Sequence, residues 1–234
     1  MARRSKTNFE SLSLPEQCRV LNLSLQDWDV PYDFNSRTWK ITDRTYGKPE
    51  PAVAEILRGR GYTVAYCEGG PILLMMKSLC LTWFEKNHTM GIEDARLRYL
   101  EALCTIYQDR VQQIRSTICE CSRVDYIRNF EVLYAQPFIS GCYPGISCDL
   151  MARLYDCFRD TALAIFDVFV SDPYGYRSGW PDVTAISADG VRFLEVKTID
   201  KLHGSQKRLI ENLRDQCHLD ISVVRLKPRS PHLA

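Results

Sequence analysis

One short stretch constrains this chain more than any other: Gly179-Trp180-Pro181-Asp182, followed twelve residues later by Glu195-Val196-Lys197. Val183 to Ile186 and Val191 to Lys197 read as two strands joined by the turn Ser187-Ala188-Asp189-Gly190. Such a hairpin brings the start of its first strand beside the end of its second. Asp182 then falls near Glu195 and Lys197, which are two residues apart and so point to one face. A lone Glu-x-Lys on a strand is usually a solvated surface pair. Here the apolar flanks Phe193, Leu194 and Val196, and a third charged group at hairpin distance, argue for convergence.

Two carboxylates and an ammonium at one spot suit a hard cation. Mg2+ or Mn2+ takes one or two carboxylates, with waters and phosphate oxygens completing the shell. One or two such ions would lower the pKa of a bound water and stabilise charge on a phosphodiester, with Lys197 assisting. The pattern is that of a metal-dependent phosphodiesterase site.

The flanking sequence indicates an α/β fold. His203 to Gln216 has helical spacing, and Ile221 to Leu226 reads as a final strand stopped by Pro228. Upstream, a helix begins near Pro49 and Pro51, Tyr62 to Cys67 reads as a short strand, and Glu68-Gly69-Gly70 follows. From Pro71 to about residue 170 the pattern is helical: Pro71 to Glu85, one long amphipathic helix from Ile92 to Ile118, and another from Ser147 to about Ala164. Phe166 to Ser171 fits either helix or strand. Residues 1–48 hold no sustained period and are read as an N-terminal extension of unassigned role; 49–234 form the main domain.

Composition excludes several classes. Lys plus Arg is 30 against 29 Asp plus Glu, so the chain does not coat nucleic acid by bulk charge. The apolar run from Pro71 is too short to span a bilayer and carries Lys77. No apolar stretch follows the first basic residues, so an intracellular location (cytoplasm, nucleoid or nucleus) and no membrane partner are expected. The ten cysteines, Cys80 and Cys157 among them, read as reduced core residues, because Cys119/Cys121 and Cys142/Cys148 lack zinc-ligand spacing. Arg192 to Arg229 holds nine basic residues against five acidic ones, making Lys201, Lys207 and Arg208 phosphate-contact candidates, with Arg3, Arg4, Arg58, Arg60 and Arg177 extending that surface. An ordinary charged helix face is the alternative.

From Tyr176 to Ile210, the order GWPD, hairpin, FLEVK and a helix with Gln206 near its start resembles the PD-(D/E)XK nuclease core in its VRR-NUC branch. Arg60 to Gly70, a Gly-aromatic strand leading to Glu-Gly before an apolar helix, resembles the nuclease domain of Fanconi-associated nucleases. The resemblance implies a restriction-endonuclease-like mixed sheet flanked by helices, with a largely helical insertion over about 71–170. It implies metal ligation by Glu68, Asp182, Glu195 and the Val196 carbonyl, with Lys197 and Gln206 completing the catalytic set. The alternative for Glu68 is a carboxylate favoured by a helix N-terminus, and for Gln206 a plain helix-surface residue. The family often has Gly after the lysine, where this chain has Thr198-Ile199-Asp200. The implied activity is metal-dependent, structure-selective cleavage of branched or flapped DNA in repair, by a 5′ flap endonuclease or exonuclease acting as a monomer or homodimer. A dimeric Holliday-junction resolvase and a non-catalytic DNA-binding module are the alternatives.

Overall fold

The structure is a computed structural model that describes residues 8–230; Arg3 and Arg4 lie outside them. A short helix α1 (Leu14–Val20) opens with a capping box, in which the Ser13 backbone N–H and hydroxyl both donate to Glu16. Three strands follow: β1 (Ser24–Asp33), β2 (Thr38–Lys40) and β3 (Tyr46–Gly47). Helix α2 (Pro49–Gly59) starts on prolines that need no N–H partner in the first turn, and leads to β4 (Thr63–Ala65).

The apolar helix α3 (Gly70–Asn87) is buried along nearly its whole length. Around it pack α4 (Ile92–Leu97), α5 (Leu100–Ile106), α6 (Val111–Glu120), α7 (Arg123–Tyr134), α8 (Pro137–Cys142), α9 (Cys148–Phe158) and α10 (Ala162–Ser171). The last unit is β5 (Val183–Ser187), β6 (Gly190–Lys197), α11 (Gly204–Cys217) and β7 (Ile221–Arg229). No helix among the described residues is long and apolar enough to cross a membrane.

All seven strands form one sheet in the order β3-β2-β1-β7-β6-β5-β4. β1 and β6 flank β7 in parallel, while β5 and β4 run antiparallel to their neighbours. The β5–β6 hairpin closes with Ser187 opposite Gly190, leaving a two-residue loop. β6, α11 and β7 make a β-α-β crossover. Residues 1–48, unassigned from sequence, thus supply three strands of the same sheet, because β1 pairs along its length with the distant β7.

The two faces bury separate cores. Leu194 and Val196 point to the α2 side with Val183, Val224 and Trp39, while Phe193 points to the α3–α11 side. Alternation then turns Glu195 and Lys197 toward the helical layer.

Several sequence expectations are corrected. The stretch 92–118 is three helices, because the backbone is extended at Arg98 and Tyr99 and is interrupted again at Tyr107, before a 3-10 turn over Gln108–Arg110. The buried Lys77 ammonium takes the Arg96 and Arg98 carbonyls that a continuous helix would have used itself. The helix expected from Ser147 to Ala164 breaks after Phe158, and Phe166 to Ser171 is helical in α10. β7 runs through Pro228, which pairs with Val30 of β1 beyond the point where β6 ends. All ten cysteines are unbridged; Cys80 is buried as expected, but Cys119, Cys142, Cys148 and Cys157 are exposed.

Candidate active site and metal centre

Each motif residue is fixed by its neighbour in another motif. Gly69 has φ +71, and a Cβ there would lie 2.3 Å from Cγ of Trp180. Trp180 is buried and donates its indole N–H to the Tyr176 carbonyl at 2.7 Å. Gly179 has φ +90, and its Cβ would meet the Ser205 carbonyl carbon at 2.9 Å. The glycines let the Glu68 turn, the strand entering β5 and the N-terminus of α11 touch.

At that junction Asp182 accepts the Val196 N–H at 2.8 Å, across the hairpin as its register requires. Glu195 is fully buried. Its Oε1 accepts both the Lys197 ammonium, at 2.9 Å, and the Gln206 side-chain amide. Its Oε2 is buried with no hydrogen-bond partner. Gln206 is itself held, since its Oε1 accepts the His203 N–H at 2.9 Å. Lys197 also donates to Asp200 at 3.1 Å, and Asp200 accepts the Thr198 N–H at 3.1 Å. Asp200 therefore closes the loop that follows Lys197. Sequence reasoning saw it only as a departure.

Charge in this pocket is strained. Burial pushes the Asp182 carboxyl up to about 6, opposed by the Val196 hydrogen bond and by Lys197. Burial and the adjacent Asp182 push Glu195 well above the carboxylate range. Burial disfavours the Lys197 ammonium, but Glu195 and Asp200 outweigh it and keep its pKa above the ordinary lysine value. Both carboxyls are thus disfavoured as charges in this pocket, and Lys197 is the cation that faces Glu195.

Asp182 opens onto a cleft of about 450 Å³ lined also by Lys48, Glu50, Pro51, Tyr66, Cys67, Glu68, Cys142 and Tyr143. Glu68 stands on its wall at φ +30, an uncommon backbone for a side chain of that size. Glu50 is the carboxylate sequence reasoning missed. It lies in the first turn of α2, where the helix dipole alone accounts for an acid, and it raises the Asp182 pKa.

Among the described residues no three His, Cys, Asp or Glu side chains form a closed cation cage. The donor set nevertheless fits a hard ion that keeps several waters. Asp182 and Glu195 give two carboxylates in contact, one with an oxygen lacking any donor, and Glu50 and Glu68 line the open side.

The basic candidates divide. Arg208 is tied to Asp172 at 3.0 Å and to the Gly175 carbonyl at 2.7 Å, lying over the Tyr176 ring. Lys207 pairs with Glu211 at 2.9 Å. Lys201 and Arg177 are exposed and make no ion pair with any described residue.

The N-terminal segment also reaches the site. Buried Gln17 donates to the Leu202 carbonyl at 3.1 Å and accepts its N–H at 2.8 Å. Glu10 accepts the Gly204 N–H at 3.2 Å. Both grip the segment between Lys197 and Gln206; no local sequence signal marks a contact so distant along the chain.

No family model matches the chain, and no curated protein does. Two solved structures of paFAN1 match it in fold. One, bound to 5′-flap DNA with a 2-nucleotide flap and a gap, is 19% identical with a TM-score of 0.55, over 98% of this chain and 40% of that one. The other, with a 1-nucleotide flap and a gap, is 18% identical with a TM-score of 0.57, over 92% of this chain and 42% of that one. The chain thus spans less than half the length of either. A seven-stranded mixed sheet flanked by helices, superposing on paFAN1 over nearly its whole length, gives this chain a FAN1-like nuclease fold.

Proposed function

We propose that the chain is a Mg2+- or Mn2+-dependent deoxyribonuclease that hydrolyses phosphodiester bonds in branched or flapped DNA, as a step in repair. The observation that carries this reading is Glu195, fully buried, with one oxygen engaged by Lys197 and Gln206 and the other left without a donor beside Asp182. A buried carboxylate with a bare oxygen is costly unless something positive meets it.

One or two divalent ions, held by Asp182, Glu195, the Val196 carbonyl and the cleft carboxylate Glu68, would supply a water of lowered pKa and positive charge at the phosphate. The chain's own groups do the rest. The Val196 N–H fixes the Asp182 carboxylate, and Gln206 fixes that of Glu195, so neither must reorganise as charge develops. Lys197, kept charged by Glu195 and Asp200, offers its ammonium to the scissile phosphate, where it would stabilise the negative charge that develops. The exposed Lys201 and Arg177 offer phosphate contacts at the rim. DNA is the partner, and the compartment is the one that holds it.

The test is cleavage of labelled 5′-flap, four-way-junction and plain duplex DNA in Mg2+ or Mn2+, with Asp182→Ala as control. Metal-dependent cutting of flapped DNA that is lost in the variant supports the proposal. Preference for paired cuts in the four-way junction would select a dimeric resolvase. Binding without cutting, in wild type and variant alike, would leave a DNA-binding module.

A further inference from the structure

Two clefts meet at the N-terminus of α2. Lys48 and Glu50 line the catalytic one, whereas Pro49, between them, lines a second of about 600 Å³. The second cleft runs between the β1–β2 hairpin and the loop that follows Lys197. Its walls include Tyr32, Trp39, Ile199, Arg37 and Lys227.

The two clefts are opposite in charge. The catalytic one carries Glu50, Glu68 and Asp182 against Lys48. The second has Arg37, Arg225 and Lys227 on its walls and no acid among its lining residues. Asp27, outside that lining, pairs with Arg225 at 2.7 Å and Lys227 at 2.6 Å, so it offsets one of those charges. Arg37 makes no ion pair with any described residue. It sits at the hairpin corner with φ +56, the turn being held by Asp33 through Asn35 and Ser36.

Exposed apolar groups stand beside the same cleft, Ile199 in its lining and Phe34 next to the lining residue Tyr32. Phe34 is 61% exposed and meets Tyr32 edge-on at 5.0 Å, and Tyr32 in turn contacts Trp39 at 4.7 Å. Ile199, two residues after the catalytic lysine, is 99% exposed.

Resting on the nuclease reading of the neighbouring cleft, we infer that this second cleft binds unpaired nucleotides of the DNA strand whose phosphate lies at the metal centre. Bases pack on Phe34, Tyr32 and Ile199, and phosphates meet Arg37 and Lys227. A strand bridging the two clefts crosses Pro49, with its backbone drawn to the basic side and its scissile phosphate over the acidic one. Single strand is specified over duplex because aromatic faces stack on bases only where those faces are open. The cleft volume suits a nucleotide or two.

The experiment is fluorescence anisotropy of a labelled oligothymidylate and of a matched duplex, with the full chain, in EDTA. Phe34→Ala and Arg37→Gln are the variants, both on exposed side chains, with melting temperatures checked. Phe34→Ala is expected to weaken oligothymidylate binding about 10-fold. Arg37→Gln is expected to weaken it and to reduce the salt slope by about 0.7. Duplex affinity should change by less than a factor of about 2 in both, because the lost contacts are to open base faces and to the single strand's phosphates. Unchanged single-strand binding in both variants, or equal losses for duplex and single strand, overturns the inference. The assay needs no cleavage: a wild type that binds through this cleft but cuts nothing refutes the nuclease reading and leaves the cleft standing.

Discussion

Replacing Asp182 by Asn should stabilise the ion-free protein while abolishing its proposed chemistry. In the folded chain the Asp182 carboxyl titrates at about 6 against an ordinary 3.8, chiefly because it is buried. A folded pKa above the unfolded one means the folded state binds the extra proton, so stability is full below about 3.8 and falls as pH rises to about 6. The rise corresponds to ~3 kcal/mol of destabilisation at pH 8. An amide removes that charge but weakens the bond from the Val196 N–H, which takes back about 1 kcal/mol. About 2 kcal/mol remains, or an increase of roughly 4–8 °C in Tm for a chain of this size. Thermal melting in EDTA at pH 8 and pH 4 measures it. The difference should be largest at pH 8 and close to zero at pH 4. Added Mn2+ should raise the Tm of wild type and leave Asp182→Asn nearly unmoved. An Asn variant that melts at or below wild type at pH 8 would refute the reasoning, as would a difference independent of pH.

Lys197→Met keeps the length of the side chain and removes its charge; DNA cleavage should fall by about 10²–10³-fold while Mn2+ titration still shows binding. Gln17→Leu strands the Leu202 N–H and carbonyl, each costing about 1–3 kcal/mol; chemical denaturation should show the loss, and cleavage should fall more than DNA affinity because the segment between Lys197 and Gln206 loosens. Gly69→Ala drives a methyl into Trp180 at a positive φ, so Tm should drop by a shift equivalent to about 2 kcal/mol or more. Glu50→Gln removes a repelling carboxylate from the Asp182 cleft, so melting in EDTA at pH 8 should move upward, in the same direction as for Asp182→Asn.

The hairpin that carries the candidate site was legible because its constraints are local. A tight turn, strand alternation and a two-residue spacing place Asp182, Glu195 and Lys197 together without reference to the rest of the chain. Gln206 follows one loop later; its place near the helix start was legible, but its hydrogen bond to Glu195 was not. The N-terminal strands were illegible because their partner is β7, at the far end of the chain, and β2 and β3 are too short to carry a period. The break in the 92–118 stretch is written in a tertiary contact: Lys77, noted only as a charge in an apolar run, caps the carbonyls of Arg96 and Arg98. Glu50 was hidden by having an adequate local explanation at a helix start. Arg208 reads as a phosphate-contact candidate in a basic segment, and its pairing with Asp172, far along the chain, carries no local sequence signal.

The proposed chemistry requires a divalent ion between Asp182 and the bare oxygen of Glu195. A crystal soaked in Mn2+, with anomalous difference density measured, tests that most directly. The account predicts a peak in contact with the Asp182 carboxylate and the bare oxygen of Glu195, absent from crystals of Glu195→Gln. A peak elsewhere, or an empty site at millimolar Mn2+ and pH 8, would contradict it.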